Sequence, residues 1–344
     1  MSLDALLQES VELQKDDFYS KKFYFSYSSL NKLMYNPVIF HQLYILGVKE
    51  ERIDNYLVNG KVVHALLLEE SKFKDNFIVS PDTLPTANVR VLADTIYKMY
   101  TALPKNSEGL VDRVDFEKVV LQVMKEMNYY QKLSTDQQRL DKTLTPEFIS
   151  YFEFLKTKGS KILIDQDTYQ FCKDAVDIIK KDGKLCSLIG CNVTEFDNKE
   201  VFNELPLSID IADTKRPFGL KGVIDNIVID HDRKLISIND IKTTAKELKD
   251  FPETLEFYSY WLQAVIYMAL ASTNFSALID QGYDVKFHFV VIDKSFQTYA
   301  FPVSDSTLMD WFHRLQSTLD KAQWHYENKS YELPYDFAIG SVTL

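Results

Sequence analysis

Between Leu220 and Lys242, apolar and polar positions alternate as two β-strands do around a short polar turn. The first strand runs from about Leu220 to Asp230 and is rich in Val and Ile. The second runs from about Leu235 to Lys242 and alternates Ile with polar residues. His231-Asp232-Arg233-Lys234 supplies the turn. Antiparallel pairing about an Asp232–Arg233 centre sets Asp225 opposite Asp240. Carboxylates directly opposite on one sheet face lie about 5 Å apart and repel. The pair therefore calls for a cation between them, or for a shared proton. Val223, Ile227, Ile229, Ile236 and Ile238 share this face, and Lys242 lies on it two residues beyond Asp240. Buried charges are paired or metal-bound. Two readings follow: a metal site, or a structural Asp–Lys ion pair at a strand end. A slip of one residue in register would move the whole set to the other face.

The remaining periodicity predicts helices before the hairpin and mixed elements after it. Residues 1–20 read as an amphipathic helix or a loose tail. Ser26 or Ser28 caps a short helix across Leu30, Leu33 and Met34, which Asn36-Pro37 ends; a second spans Phe40 to Leu46. Gly60 is expected to let the backbone approach a neighbour closely. From Lys61 the chain is helical and apolar nearly all round, so this helix is buried. His64 shares a face with Leu67 and Leu68. It is a hydrogen-bonded core residue unless the helix packs on the hairpin end, where it becomes a ligand. Residues 81–183 follow, with helices around Val89–Leu103, Phe116–Leu133, Thr145–Lys158 and Asp167–Lys181, the last stopped by Gly183. Mixed charge is dense there. The segment reads as a helical insertion that shapes a channel or a subunit contact, or as a solvated helical layer.

From Asn192 the pattern turns to strands. Glu195 and Glu204 are candidate carboxylates or plain surface residues, and Glu204 begins an alternating strand beside Leu220–Asp230. Lys215, Arg216 and Pro217 suggest a hairpin turn. A helix is expected from about Pro252 to Ser272, with Tyr260, Gln263 and Tyr267 along one face. An apolar strand at 285–293, a strand at 297–303, and a last helix from Asp305 to Tyr326 capped by Ser304 complete the pattern; the tail from Glu332 reads as irregular. The order is that of an α/β layer with a mixed sheet, and no internal repeat is evident.

Composition narrows the class. The 344 residues fit one large domain or two, and 46% hydrophobic content is ample for a core. Ten Gly and ten Pro are too few for long disordered linkers. No stretch approaches the ~20 apolar residues of a membrane span, and the acidic, polar N-terminus is no secretory signal. Cys172, Cys186 and Cys191 lack metal-ligand spacing and read as reduced thiols of a cytosolic protein. The net charge of −11 argues against a protein that coats nucleic acid. An enzyme that threads DNA past a locally basic strip remains compatible, with affinity falling steeply in salt.

Five elements in order carry a family resemblance. Gly222-Val-Ile-Asp225, Asp240-Ile-Lys242 and Gln263-Ala-Val-Ile-Tyr267 resemble the PD-(D/E)XK nuclease superfamily. Gly60-Lys-Val-Val-His64 is similar to the Gly-x-x-x-His motif of its RecB-like branch. Ser26-x-Ser28-x-Leu30 with Pro37-x-x-Phe40 resembles that branch's opening segment. Within the branch, the stretches 64–79 and 290–303 resemble the RecE (exonuclease VIII)-like phage and prophage exonucleases. One position departs from the Fe–S-bearing relatives. They place a Cys just before the Pro of the opening segment, where this chain has Asn36, and no Cys follows Cys191. No Fe–S cluster is expected.

The resemblance implies a restriction-endonuclease-like α/β core: a central mixed β-sheet flanked by helices, in a single nuclease domain with a helical insertion. It implies that His64, Asp225, Asp240 and the Ile241 carbonyl hold Mg²⁺ or Mn²⁺, with Glu204 an accessory ligand through water. Lys242 would orient the attacking water and stabilise developing negative charge. A cation and burial would both favour a lowered Lys pKa. Gln263 and Tyr267 would hold the scissile phosphate or the DNA backbone, with Tyr260 and Ser28 further DNA contacts. The implied activity is 5′→3′ digestion of linear duplex DNA in a bacterial or phage-infected cytoplasm, leaving 3′ single strands for an annealing recombinase, with a homo-oligomer as one arrangement. The alternatives are a single-strand nuclease or endonuclease of the same superfamily, a catalytically silent DNA-binding module, and a metal-free protein with a structural ion pair.

Overall fold

A computed structural model describes residues 22–48, 55–80, 85–106, 111–159, 161–211 and 216–343. The chain forms two compact units, residues 1–70 with 172–344, and residues 71–171. In chain order, the first unit opens with β1 (Phe23–Phe25), α1 (Tyr27–Tyr35), α2 (Pro37–Phe40), a π-helical turn (His41–Ile45) and α3 (Asn55–Leu68). Ser26 caps α1 in a reciprocal capping box with Ser29. The helix expected over Phe40–Leu46 is thus α2 plus the π-turn. Gly60 lies inside α3, where an added Cβ would meet Thr243 Oγ1 at an ordinary 3.5 Å. The close approach expected there is not one that only glycine permits.

The second unit holds α4 (Glu70–Asn76), β2 (Phe77–Val79), α5 (Ala87–Tyr100), α6 (Arg113–Glu126), α7 (Asp136–Thr143), α8 (Pro146–Lys158) and β3 (Ile162–Ile164). Its core is built from apolar faces of α5, α6 and α8, including Ile96, Val120, Met124, Phe148 and Phe152. Strands β2 and β3 pair in parallel, a contact that two three-residue apolar runs far apart in sequence did not announce.

The chain continues with α9 (Gln166–Lys181), α10 (Gly183–Ile189), β4 (Lys199–Asp210), β5 (Phe218–Asp230) and β6 (Leu235–Thr244). Then come α11 (Phe251–Phe257), α12 (Tyr260–Asn274), α13 (Ser276–Ile279), β7 (Asp284–Asp293), β8 (Thr298–Pro302), α14 (Asp305–Asn328) and α15 (Tyr335–Ala338). Gly183 does not stop a helix. It opens α10, with the Asp182 carboxylate capping the Lys184 and Leu185 amides. The helix expected over 252–272 is two, because the chain breaks at Ser259, whose φ is +56°. The tail beyond Glu332 includes the short α15. The expected N-terminal helix and Lys215 of the expected turn lie outside the described residues.

The sheet runs β1-β5-β6-β7-β8, with β4 also on β5. β1 is parallel to β5 and β6 to β7, while β4–β5, β5–β6 and β7–β8 are antiparallel. The sheet is therefore mixed, as expected. The hairpin register is the expected one, from Asp230↔Leu235 to Asn226↔Asn239. Along one edge β5 pairs with β4 over most of its length. On the other edge it pairs with β1 at 218–220 and with β6 at 226–230. Among the described residues, 221–225 form no ladder on that edge, so β5 and β6 diverge just before Asp225 and Asp240 would pair. Helices α1, α12 and α14 join the sheet in one continuous core through Leu30, Leu262, Ile266, Leu315 and Phe287. No helix among the described residues is long and apolar enough to cross a membrane.

Candidate metal centre

The site lies where β5 and β6 diverge. Asp225 is buried, and its Oδ2 accepts a hydrogen bond from the Ile241 amide at 2.8 Å. The side chain thus takes the β6 donor that a longer ladder would have used. Asp240 is 0% exposed. The Lys242 ammonium lies 2.5 Å from its Oδ2. Neither Asp240 oxygen has a hydrogen bond of proper geometry among the described residues. Burial lifts the Asp240 carboxyl to about 6, against the lowering pull of Lys242 and with the Asp225 charge adding to the rise. The Lys242 ammonium also sits 4.9 Å from the centre of the Tyr260 ring.

His64 reaches this point from α3. Its Nε2 is 2.8 Å from the Ile241 carbonyl oxygen and 3.6 Å from Asp225 Oδ2. Its Nδ1 is 3.3 Å from Glu204 Oε1. The side chain keeps 24% of its surface exposed, so the pocket opens to solvent. Burial lowers the imidazole pKa. The Asp225 charge, the Glu204 hydrogen bond and charge, and the Ile241 carbonyl outweigh it, raising the group to about 9. Lys242 behaves alike: burial pulls it down, but the charges of Asp240 and Asp225 raise it overall.

Glu204 stands on β4 between Asn203↔Asn226 and Leu205↔Ile224, alongside Asp225. Its φ is +49°, a left-handed conformation that costs a non-glycine residue about 1–2 kcal/mol. Such strain persists only where the surroundings enforce it. Glu204 does not begin its strand as expected. It sits mid-strand, and its carboxylate meets His64. Glu195, the other candidate, is exposed and remote from this cluster in the 191–198 turn.

Donor atoms of His64, Glu204 and Asp225 lie within 4.8 Å of one another. Adjacent ligand atoms around a six-coordinate cation with bonds of about 2.1 Å are about 3 Å apart. The separations of His64 Nε2 from Ile241 O and Asp225 Oδ2 bracket that spacing. The field that raises the His64 imidazole favours positive charge at this point. The Asp240 carboxylate is buried and ion-paired to Lys242 through Oδ2. Hard oxygen donors with one imidazole fit a divalent cation of the Mg²⁺ or Mn²⁺ type.

From α12, Tyr267 lies near Asp225 and Asp240, and Gln263 Nε2 donates to the Tyr267 hydroxyl at 2.9 Å. Burial, then the charges of Asp225 and Asp240, push the Tyr267 phenol well above its ordinary value, so it stays neutral. Gly222 is required here: an added Cβ would lie 2.9 Å from Tyr267 Cε1 and 3.1 Å from Leu270 Cδ1. A cleft of 330 Å³ extends from Tyr267 and Gln263 past Gly222 and Lys221 to Tyr27 and Ser28. The structure thus brings His64, Glu204, Asp225, Asp240, Ile241, Lys242, Tyr260, Gln263, Tyr267 and Ser28 into one region. Sequence reasoning missed Lys221 and Tyr27 on the cleft wall. It also missed the direct contact of Glu204 with His64, for which the sequence carries no signal because a left-handed Glu has no signature.

The mixed sheet flanked by helices matches the fold of a PD-(D/E)XK nuclease. Residues 178–332 match the sequence model of the PD-(D/E)XK nuclease superfamily. The chain is also similar to a crystal structure from Eubacterium rectale described as a "Putative exonuclease", with 11% identity, a TM-score of 0.46, and coverage of 92% of this chain and 87% of that one. No curated protein matches the chain in sequence.

Proposed function

We propose that the chain is a divalent-metal-dependent deoxyribonuclease of the RecE-like kind, digesting linear duplex DNA from its ends in the 5′→3′ direction. The observation that carries the nuclease reading is the clustering of buried Asp240, ion-paired to Lys242, with buried Asp225 and His64. Asp225, Asp240, the Ile241 carbonyl and His64 Nε2 would hold Mg²⁺ or Mn²⁺. The cation, when bound, supplies a Lewis acid for a phosphate oxygen and acidifies a water. Glu204 would accept a hydrogen bond from His64 Nδ1 and so orient the ring with Nε2 towards Asp225 and Ile241. It would also serve as an accessory ligand through water. Lys242, held protonated by Asp240, places a positive charge where the pentacovalent phosphate develops its negative charge.

Gln263 and the neutral Tyr267 offer hydrogen-bond donors for a phosphate oxygen at the mouth of the cleft. Tyr260 keeps the Lys242 ammonium in place, and Ser28 lines the path of the strand. The direction of digestion, and the supply of 3′ single strands to an annealing recombinase in a phage or prophage setting, rest on the motif resemblance. Digestion of linear duplex labelled separately at its 5′ and 3′ ends tests the reading. With Mg²⁺ or Mn²⁺, label at the 5′ end is released first, and closed circular duplex is left intact. Release from 3′ ends reverses the polarity. Cutting of closed circles makes the enzyme an endonuclease, and digestion confined to single strands changes its substrate.

A further inference from the structure

Three asparagines stand next in sequence to the three carboxylates of the site: Asn203 to Glu204, Asn226 to Asp225, and Asn239 to Asp240. Alternation along a strand sends the paired neighbours to opposite faces of the sheet. The asparagines form one hydrogen-bonded row across β4, β5 and β6. Asn226 Nδ2 donates to Asn203 Oδ1 at 2.8 Å, and Asn239 Nδ2 donates to Asn226 Oδ1 at 2.7 Å. The row is tied to helices at each rung. Asn203 Nδ2 donates to the Leu68 carbonyl at 2.9 Å, one turn beyond His64 in α3. Asn226 and Asn239 donate to the Ile189 and Leu188 carbonyls at the end of α10, each at 3.0 Å. Asn226 and Asn239 are 0% exposed, and they are the last pair of the β5–β6 ladder before the strands diverge.

We propose that this asparagine ladder is a positioning device that sets the spacing of the metal-site ligands, fixing α3, β4, β5 and β6 relative to one another one residue away from each carboxylate. The inference rests on the metal-site reading above. Apolar side chains would fill the same sheet face without any orientation. The amide row makes its bonds in one register and leaves Asn239 Oδ1 as a buried oxygen without a partner; a strand that slides would break the bonds of Asn226 and Asn239 and add further buried unpaired groups. The row sits where it is needed. Beyond Asn226 and Asn239 no ladder bond holds β5 to β6, and two carboxylates begin to push apart. Asn203 extends the constraint to Glu204 and, through Leu68, to the helix that carries His64. Groups hydrogen-bonded directly to metal ligands change metal affinity by about 10–100-fold when removed; this row acts on the ligands through the strands that carry them, and the lower end of that range is the expected effect.

The test uses the full chain and two variants, Asn226→Leu and Asn203→Ala, titrated with Mn²⁺ by calorimetry without DNA and melted without metal. Mn²⁺ affinity is expected to fall about 10-fold in both, and DNA cleavage to recover towards wild type at saturating Mn²⁺. A row that serves stability alone lowers the metal-free melting temperature and leaves Mn²⁺ affinity unchanged, which would overturn the proposal. If Asn226→Leu does not fold, Asn203→Ala, on the exposed outer rung, decides by the same criterion. A wild-type chain that binds no Mn²⁺ overturns the metal-site reading itself, a result distinct from equal binding by wild type and variants.

Discussion

At the residue scale, the site separates groups that hold a cation from a group that acts on the substrate, and the two can be told apart by what each substitution removes. His64 lies 2.8 Å from the Ile241 oxygen and 3.6 Å from Asp225, while Lys242 is bound to Asp240 and Tyr260. A cation that binds only the folded chain raises its stability by about 2.7 kcal/mol at one hundred times its dissociation constant. Wild type is therefore expected to melt at a higher temperature in Mn²⁺ than in chelator. His64→Ala should shrink that shift at a given Mn²⁺ concentration. Lys242→Gln should keep it and lose about 10²–10³-fold in cleavage rate, the range for removing one electrostatic stabiliser of a transition state. Paired melting curves and initial rates check both. A full Mn²⁺ shift in His64→Ala would return His64 to the hydrogen-bonded core role.

At the scale of elements, the packing of β5 against α12 places Tyr267, and Gly222 is the point of contact. A methyl group there would lie 2.9 Å from the Tyr267 ring and 3.1 Å from Leu270, both of them buried. Overpacking of this kind costs about 1–3 kcal/mol. Gly222→Ala should lose that much in denaturant unfolding and should lower cleavage by displacing Tyr267; unchanged stability would mean that α12 shifts freely. The hairpin was legible because period-two alternation and a polar four-residue turn fix register from local sequence alone. That register carries Asp225 and Asp240 to the point where the ladder ends, next to Asn226↔Asn239. What stayed hidden has one physical character: it depends on contacts distant in sequence. Ser259 takes a left-handed conformation between α11 and α12 with no glycine or proline to mark it, so two helices read as one. Asp182 and Gly183 resemble a helix stop as well as a start, and only packing decides. The asparagines beside each carboxylate were visible singly, but their row exists only once three strands align.

At the scale of the whole molecule, the net charge of −11 sets a condition on any DNA substrate. The net charge disfavours long-range attraction of a polyanion, so binding is expected to rest on local contacts at a few phosphates. Lys221 lines the cleft, and a cation held at Asp225 and Asp240 would offset the local carboxylate charge. Each phosphate neutralised on duplex DNA contributes a slope of about −0.9 to the logarithmic dependence of affinity on salt, so a fourfold rise in salt weakens binding about 3.5-fold per contact. A site that holds three phosphates should bind duplex about 40-fold more weakly at 200 mM than at 50 mM salt. Fluorescence anisotropy of an end-labelled duplex, with Ca²⁺ in place of the catalytic ion, measures this slope. Lys221→Gln should reduce it by about one unit if that ammonium contacts a phosphate. A slope near zero would mean that the cleft does not hold the DNA backbone, and the nuclease reading would then lose its substrate rather than its metal site.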